Sequence, residues 1–166
     1  MPDERMTALL ADPIVKKLVA WGEARDDVRA VILTSTRAAT GKPTDEFSDY
    51  DILYIVRDIR PYLDDGWLGD FGEILGLYRD PVREEFGQER FTRVTQYEDG
   101  LKIDFSVCSV AWLAAVKERA PLPPELDVGY AVLLDKDGLA AGLPPFTRTA
   151  YLPVPPTEEA YQERPC

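Results

Sequence analysis

The run Phe47-Ser48-Asp49-Tyr50-Asp51-Ile52-Leu53-Tyr54-Ile55-Val56 constrains this chain more than any other stretch. Its second half is apolar at consecutive positions, the pattern of a strand buried on both faces in the middle of a sheet. Two carboxylates stand two residues apart at its mouth. Side chains alternate along a strand, so Asp49 and Asp51 are expected on one side, about 7 Å apart at the backbone, sharing it with Leu53 and Ile55. Like charges held that close each raise the other's pKa unless a positive group lies between them. A divalent cation is the simplest such group, and hard cations such as Mg²⁺ accept a carboxylate pair while keeping room for phosphate oxygens. The plain alternative is that Asp49 caps the strand and Asp51 sits at a solvated edge.

Composition narrows the chemistry. Histidine is absent, which removes Ser-His and Cys-His nucleophile systems and His-ligated metals. Cys108 and Cys166 are the only cysteines, too few for a disulfide framework or a cysteine zinc site, and Cys108 reads as a core residue. Acidic residues outnumber basic ones by 30 to 19, which argues against nucleic acid or an anionic membrane as a partner. With 166 residues one ordinary domain is expected. No apolar run approaches a membrane span and no signal-peptide pattern opens the chain, so the expected location is cytoplasmic.

Along the chain, Asp12-Pro13 opens a helix whose apolar positions Ile14, Val15, Leu18, Val19 and Trp21 recur at helical spacing. Val28 to Leu33 reads as a strand, followed by Thr34-Ser35-Thr36-Arg37. Hydroxyls and a guanidinium at a strand end can bind phosphate oxygens, although Ser and Thr also simply favour turns. Ala38 to Asp45 is expected to be a loop. Asp58 to Phe71 is a short helical piece around Tyr62, Leu63, Trp67 and Leu68, and Glu73 to Tyr78 an apolar strand. Phe91 to Tyr97 and Leu101 to Cys108 alternate around Asp99-Gly100, a hairpin signal. In the returning strand Lys102, Asp104, Ser106 and Cys108 face opposite to Leu101, Ile103, Phe105 and Val107, so Asp104 is a third carboxylate that can share the side of the first two. Ser109 caps a helix through Trp112, Leu113 and Val116, and Gly129 to Leu134 is a last strand. The expected domain spans 1–142; prolines dominate 143–166, an extended tail.

With these pieces in place the sequence resembles the aminoglycoside 6-adenylyltransferases, the streptomycin-modifying branch of the nucleotidyltransferase superfamily. The resemblance is carried by Val28 to Leu33 before the hydroxyl turn, Thr44 to Asp51, Asp58-Ile59, Trp67 with Phe71-Gly72, Asp99-Gly100 with Lys102-Ile103-Asp104, and Val132 to Asp137. It implies an α/β (α+β) fold, a nucleotidyltransferase-like mixed β-sheet flanked by α-helices. It implies Mg²⁺ on Asp49, Asp51 and Asp104, nucleotide phosphates held by Ser35, Thr36 and Arg37, and transfer of AMP from ATP to a hydroxyl of an aminoglycoside such as streptomycin. Asp104 would also accept the hydroxyl proton.

Two departures accompany it. The superfamily's Gly-Ser after the first strand is here Ser35-Thr36, which puts a side chain where glycine lets phosphate approach the backbone. Family members also carry a helical C-terminal domain that helps form the aminoglycoside pocket, whereas this sequence stops at Pro165-Cys166, so the missing wall is expected from a second subunit in a homodimer. The competing expectation is a catalytically impaired module that binds nucleotide or a partner protein without turnover.

Overall fold

The computed structural model describes residues 3–40, 49–119 and 121–147. Its centre is a seven-stranded mixed sheet in the order β3-β5-β6-β2-β1-β7, with β4 paired to β5. The strands are β1 (Val28–Thr34), β2 (Tyr50–Val56), β3 (Ile74–Arg79), β4 (Arg83–Glu85), β5 (Gln88–Tyr97), β6 (Lys102–Ser109) and β7 (Tyr130–Asp135). Only β2 and β6 run parallel; the other pairs are antiparallel. The central β2 is buried from Ile52 to Val56, as its continuous apolar run requires.

Each face of the sheet has its own core. One side packs Val31, Leu33, Tyr54 and Phe105 against α1 (Glu4–Ala11), α2 (Pro13–Glu23) and two 3₁₀ helices, Arg60–Leu63 and Asp65–Phe71. Trp67 meets Phe105 edge-on, ring centroids 5.0 Å apart, a favoured aromatic geometry. The other side packs Ala30, Ile32, Leu53, Ile55 and Cys108 beneath α4 (Val110–Lys117) and α5 (Pro124–Asp127). Cys108 is a core residue as expected, its thiol pushed up to about 12 by burial. Asp12 caps α2, accepting from the N–H of Ile14, and Ser109 caps α4, accepting from that of Trp112; both caps were legible in the sequence.

The structure departs from the sequence reading in places. Ala38 to Thr40, expected in a loop, closes a short helix α3 (Ser35–Thr40) that begins in the hydroxyl turn; the rest of that expected loop, 41–45, lies outside the described residues. Helix α1 escaped notice because its apolar face is narrow, although Asp3 is a regular N-cap. The β4–β5 hairpin turns at Phe86-Gly87, both with positive φ (55° and 78°), a turn the sequence marked only by Gly87. Strand β3 is present but is an edge strand with Leu75 and Tyr78 exposed. Of the expected tail, Leu143 and Phe146 pack against the second core, Thr147 bonds the Asp127 carboxylate, and 148–166 lie outside the described residues. No helix among the described residues is long and apolar enough to cross a membrane.

Candidate active site

Strand pairing assembles the site. Asp51 on β2 and Asp104 on β6 are register partners in the parallel pair, so both side chains leave the sheet on the same side, on neighbouring strands. Toward the interior the next partners are Leu53 and Ser106, then Ile55 and Cys108. Thr92, paired with Ser106 on the far side, shares a hydrogen bond of 3.0 Å with it. Asp51, Leu53, Asp104, Ser106 and Thr92, with Thr34, Ser35, Arg83, Arg90, Glu125 and Val128, line a cavity of about 310 Å³.

The two carboxylates are hydrogen-bonded to each other, and burial, then each other's charge, pushes Asp51 up to about 7. Asp104 is also raised, chiefly by burial. The pair therefore holds a proton that two separate aspartates would have lost. Both carboxyls are raised, so the proton belongs to the pair and not to one of them. The Ser35 hydroxyl bonds Asp51 from the other side and favours its ionised form. Asp104 Oδ1 is buried with no hydrogen-bond partner among the described residues.

Asp49 stands just before β2 and turns to Lys102, at 3.1 Å between Oδ2 and Nζ. It remains near enough for its charge to raise both other aspartates. The expected three-carboxylate centre is thus a pair plus one acid held aside by a lysine, and no three potential ligands among the described residues converge on one point. The pair itself fits a hard cation: two oxygen donors sharing a proton, one oxygen without a partner, and an open cavity beside them.

Ser35 reaches the cavity; Thr36 lies in α3, its side chain outside the described residues. Arg37 is elsewhere. It is buried on the opposite side of the sheet, 3.6 Å from Asp12 and 4.0 Å over the Tyr50 ring, in the wall of a separate cavity of about 590 Å³ formed with α1 and α2. The expected phosphate ligand is brought to a structural cluster instead. The reason is helical: three residues into a helix the side chain has turned away from the one at its start.

Sequence reasoning missed the cations that do line the cavity. Arg83 is exposed there and has no ion-pair partner among the described residues. Arg90 is fully buried, forks onto Glu125 and also pairs with Glu85, with its guanidinium over Trp112. The available signal was the Arg-x₆-Arg spacing about Gly87, which a hairpin places side by side. Conversely, Asp135-Lys136-Asp137 is structural. Asp135 accepts from the N–H groups of Leu139 and Ala140, Lys136 donates to the carbonyls of Gly22 and Arg25 at the end of α2, and Asp137 takes Arg29 bidentately.

A mixed sheet with carboxylates side by side on its central parallel strands, next to a hydroxyl turn after the first strand, is the architecture of the nucleotidyltransferase class. The family model for streptomycin adenylyltransferase matches residues 11–165, and the chain belongs to that family. An aminoglycoside 6-adenylyltransferase of Bacillus subtilis (strain 168) is 32% identical over 114 residues, covering 66% of this chain and 38% of that protein. Another, of Campylobacter jejuni, is 30% identical over 146 residues, covering 82% and 46%. The chain thus spans less than half the length of these curated relatives. A crystal structure of an aminoglycoside 6-adenyltransferase from Bacillus subtilis aligns with a TM-score of 0.44 and 24% identity, over 67% of this chain and 36% of that one; the fold described above rests on this chain's own strand pairing.

Proposed function

We propose that the protein transfers AMP from ATP to a hydroxyl of an aminoglycoside such as streptomycin, with Mg²⁺. The observation that carries this reading is the Asp51–Asp104 pair, register partners at a cavity wall with one Asp104 oxygen buried and without a hydrogen-bond partner among the described residues. Asp51 and Asp104 would hold the metal, joined by Asp49 if it leaves Lys102. Bound there, Mg²⁺ would offset negative charge on the triphosphate and on the departing pyrophosphate.

The chain's own residues do the rest. Thr34 and Ser35 present hydroxyls to the nucleotide phosphates, and Arg83 takes the phosphate-pairing role that the sequence suggested for Arg37. The acceptor oxygen attacks the α-phosphorus, forming a new P–O bond. The bond to the β-phosphate oxygen breaks, and pyrophosphate carries the electron pair away. Asp104, with one oxygen unengaged, accepts the hydroxyl proton.

Incubation with ATP, Mg²⁺ and streptomycin, followed by mass spectrometry, tests this. The expected product is heavier than streptomycin by one adenylyl group and disappears in Asp51→Asn. Binding of Mg-ATP with no adenylylated product would replace the enzyme by the non-catalytic module.

A further inference from the structure

Strand register extends the carboxylate row across the sheet. Tyr78 on β3 pairs with Val94 on β5, Val94 with Asp104, and Asp104 with Asp51. Directly paired residues project from the same side, so Tyr78, Val94, Asp104 and Asp51 form one line on the face that carries the site. At a strand spacing of about 4.8 Å, the Tyr78 backbone lies about 10 Å from that of Asp104.

Tyr78 is 63% exposed, and neither its ring nor its hydroxyl has a partner among the described residues. Val94 between them is half-buried. Gly76, beside Gln96 in the next row, is open: a Cβ there would meet nothing within 4 Å. Asp80, two residues on and half-buried, has no side-chain hydrogen bond or ion pair among the described residues, yet is near enough to act on the charge of Asp104. An aromatic face, an aliphatic floor and a carboxylate with no side-chain partner among the described residues therefore extend from Asp104 to the sheet edge.

The two flanks of the aspartate pair differ in chemistry. The cavity, from the β1 hydroxyls across to Arg83, is suited to phosphate. On the β3 flank Lys102, in the same row as Gly76 and Gln96, is taken by Asp49, so Asp80 and Asp104 leave a negative charge that would repel an anion and attract a protonated amine, and the apolar face of a ring would lie against Tyr78. We propose that Tyr78, Val94 and Asp80 form the acceptor subsite, which takes a cationic, polyhydroxylated ring and presents one hydroxyl to Asp104. The proposal rests on the nucleotidyl-transfer reading above and adds the residues that select the acceptor.

Calorimetric titration of the full chain with streptomycin, and separately with Mg-ATP, tests it. Tyr78→Ala is expected to weaken streptomycin binding on the order of tenfold, from the loss of a stacked ring. Tyr78→Phe is expected to stay within about twofold, because the face is kept. Asp80→Asn is expected to lose about threefold, as a partly exposed charge contact would. Mg-ATP affinity is expected to be unchanged in all three. Streptomycin binding in Tyr78→Ala equal to the parent, or no streptomycin binding by the parent, overturns the subsite. So does a loss of Mg-ATP affinity in Tyr78→Ala, which would make the ring a nucleobase platform, or a change in solution mass, which would make it a contact between copies. Absence of Mg-ATP binding in the parent instead sinks the nucleotidyl-transfer reading itself.

Discussion

The carbonyl oxygen of Gly129 accepts a hydrogen bond of 3.0 Å from the backbone N–H of Ser35, tying the loop before β7 to the turn that faces Asp51. Gly129 has φ of 153°, and a Cβ on it would lie 2.5 Å from that of Ala39 and 2.9 Å from the Ser35 carbonyl oxygen. Arg5 braces the same region, donating to the carbonyls of Ala38 and Tyr130. Gly129→Ala therefore must displace α3. It is expected to cost about 2–3 kcal/mol in urea titration and to weaken Mg-ATP binding.

Ser35 has φ of 84°, a left-handed conformation costing a non-glycine residue about 1–2 kcal/mol. Ser35→Gly removes that strain and admits phosphate to the backbone, against about 0.5–1 kcal/mol of added chain entropy in the unfolded state. Thermal unfolding is expected to show a stability gain of about 0.5 kcal/mol, with tighter Mg-ATP binding by calorimetry. Weaker binding would show that the Ser35 hydroxyl on Asp51 matters more than the space.

The pH dependence follows from Asp51, raised by burial and by Asp104 to about 7. A raised carboxyl contributes stability that is complete below its unfolded pKa near 4 and is lost as pH rises through its folded value. The metal-free protein should therefore lose stability between about pH 4 and 7. Asp51→Asn is expected to gain on the order of 1–2 kcal/mol at pH 8 and much less at pH 5, by differential scanning calorimetry. Equal gains at both pH values would show that the pair shares no proton.

Metal affinity is linked to the same proton. Mg²⁺ must displace it, so binding should tighten from pH 6 to 8 and release about one proton at pH 6.5. Calorimetry in two buffers of different ionisation enthalpy reads that release directly.

Arg83 and Arg37 offer a direct contrast. Arg83→Ala removes a cavity cation that has no ion-pair partner among the described residues and is expected to weaken Mg-ATP on the order of tenfold while leaving unfolding unchanged. Arg37→Ala breaks the buried contacts with Asp12 and Tyr50 and is expected to destabilise by about 1–3 kcal/mol with nucleotide affinity kept. The reverse pattern would return the phosphate role to Arg37.

What could be read in advance was local. Period-two alternation put Asp51 and Asp104 on defined strand faces, and Asp99-Gly100 fixed the hairpin that brings β6 back. The place of Arg37 was not legible because a turn and the first residues of a helix look alike in sequence while aiming side chains in opposite directions. Arg83, Arg90 and Glu125 went unread because each is an ordinary charged residue until β4, β5 and α5 meet around one cavity. Tyr78 looked like one more apolar position in a strand, since edge and interior strands share the same composition.

The sequence by itself determined the strand faces, the caps at Asp12 and Ser109, the exclusion of histidine chemistry and the family, because each depends on residue type and short spacing. Only the tertiary structure decided that Asp51 and Asp104 are partners, that Asp49 is held by Lys102 and that Arg37 belongs to the other side of the sheet. Those outcomes depend on which strands pair and in what register, and burial between paired strands is what raises two ordinary carboxylates above their usual range.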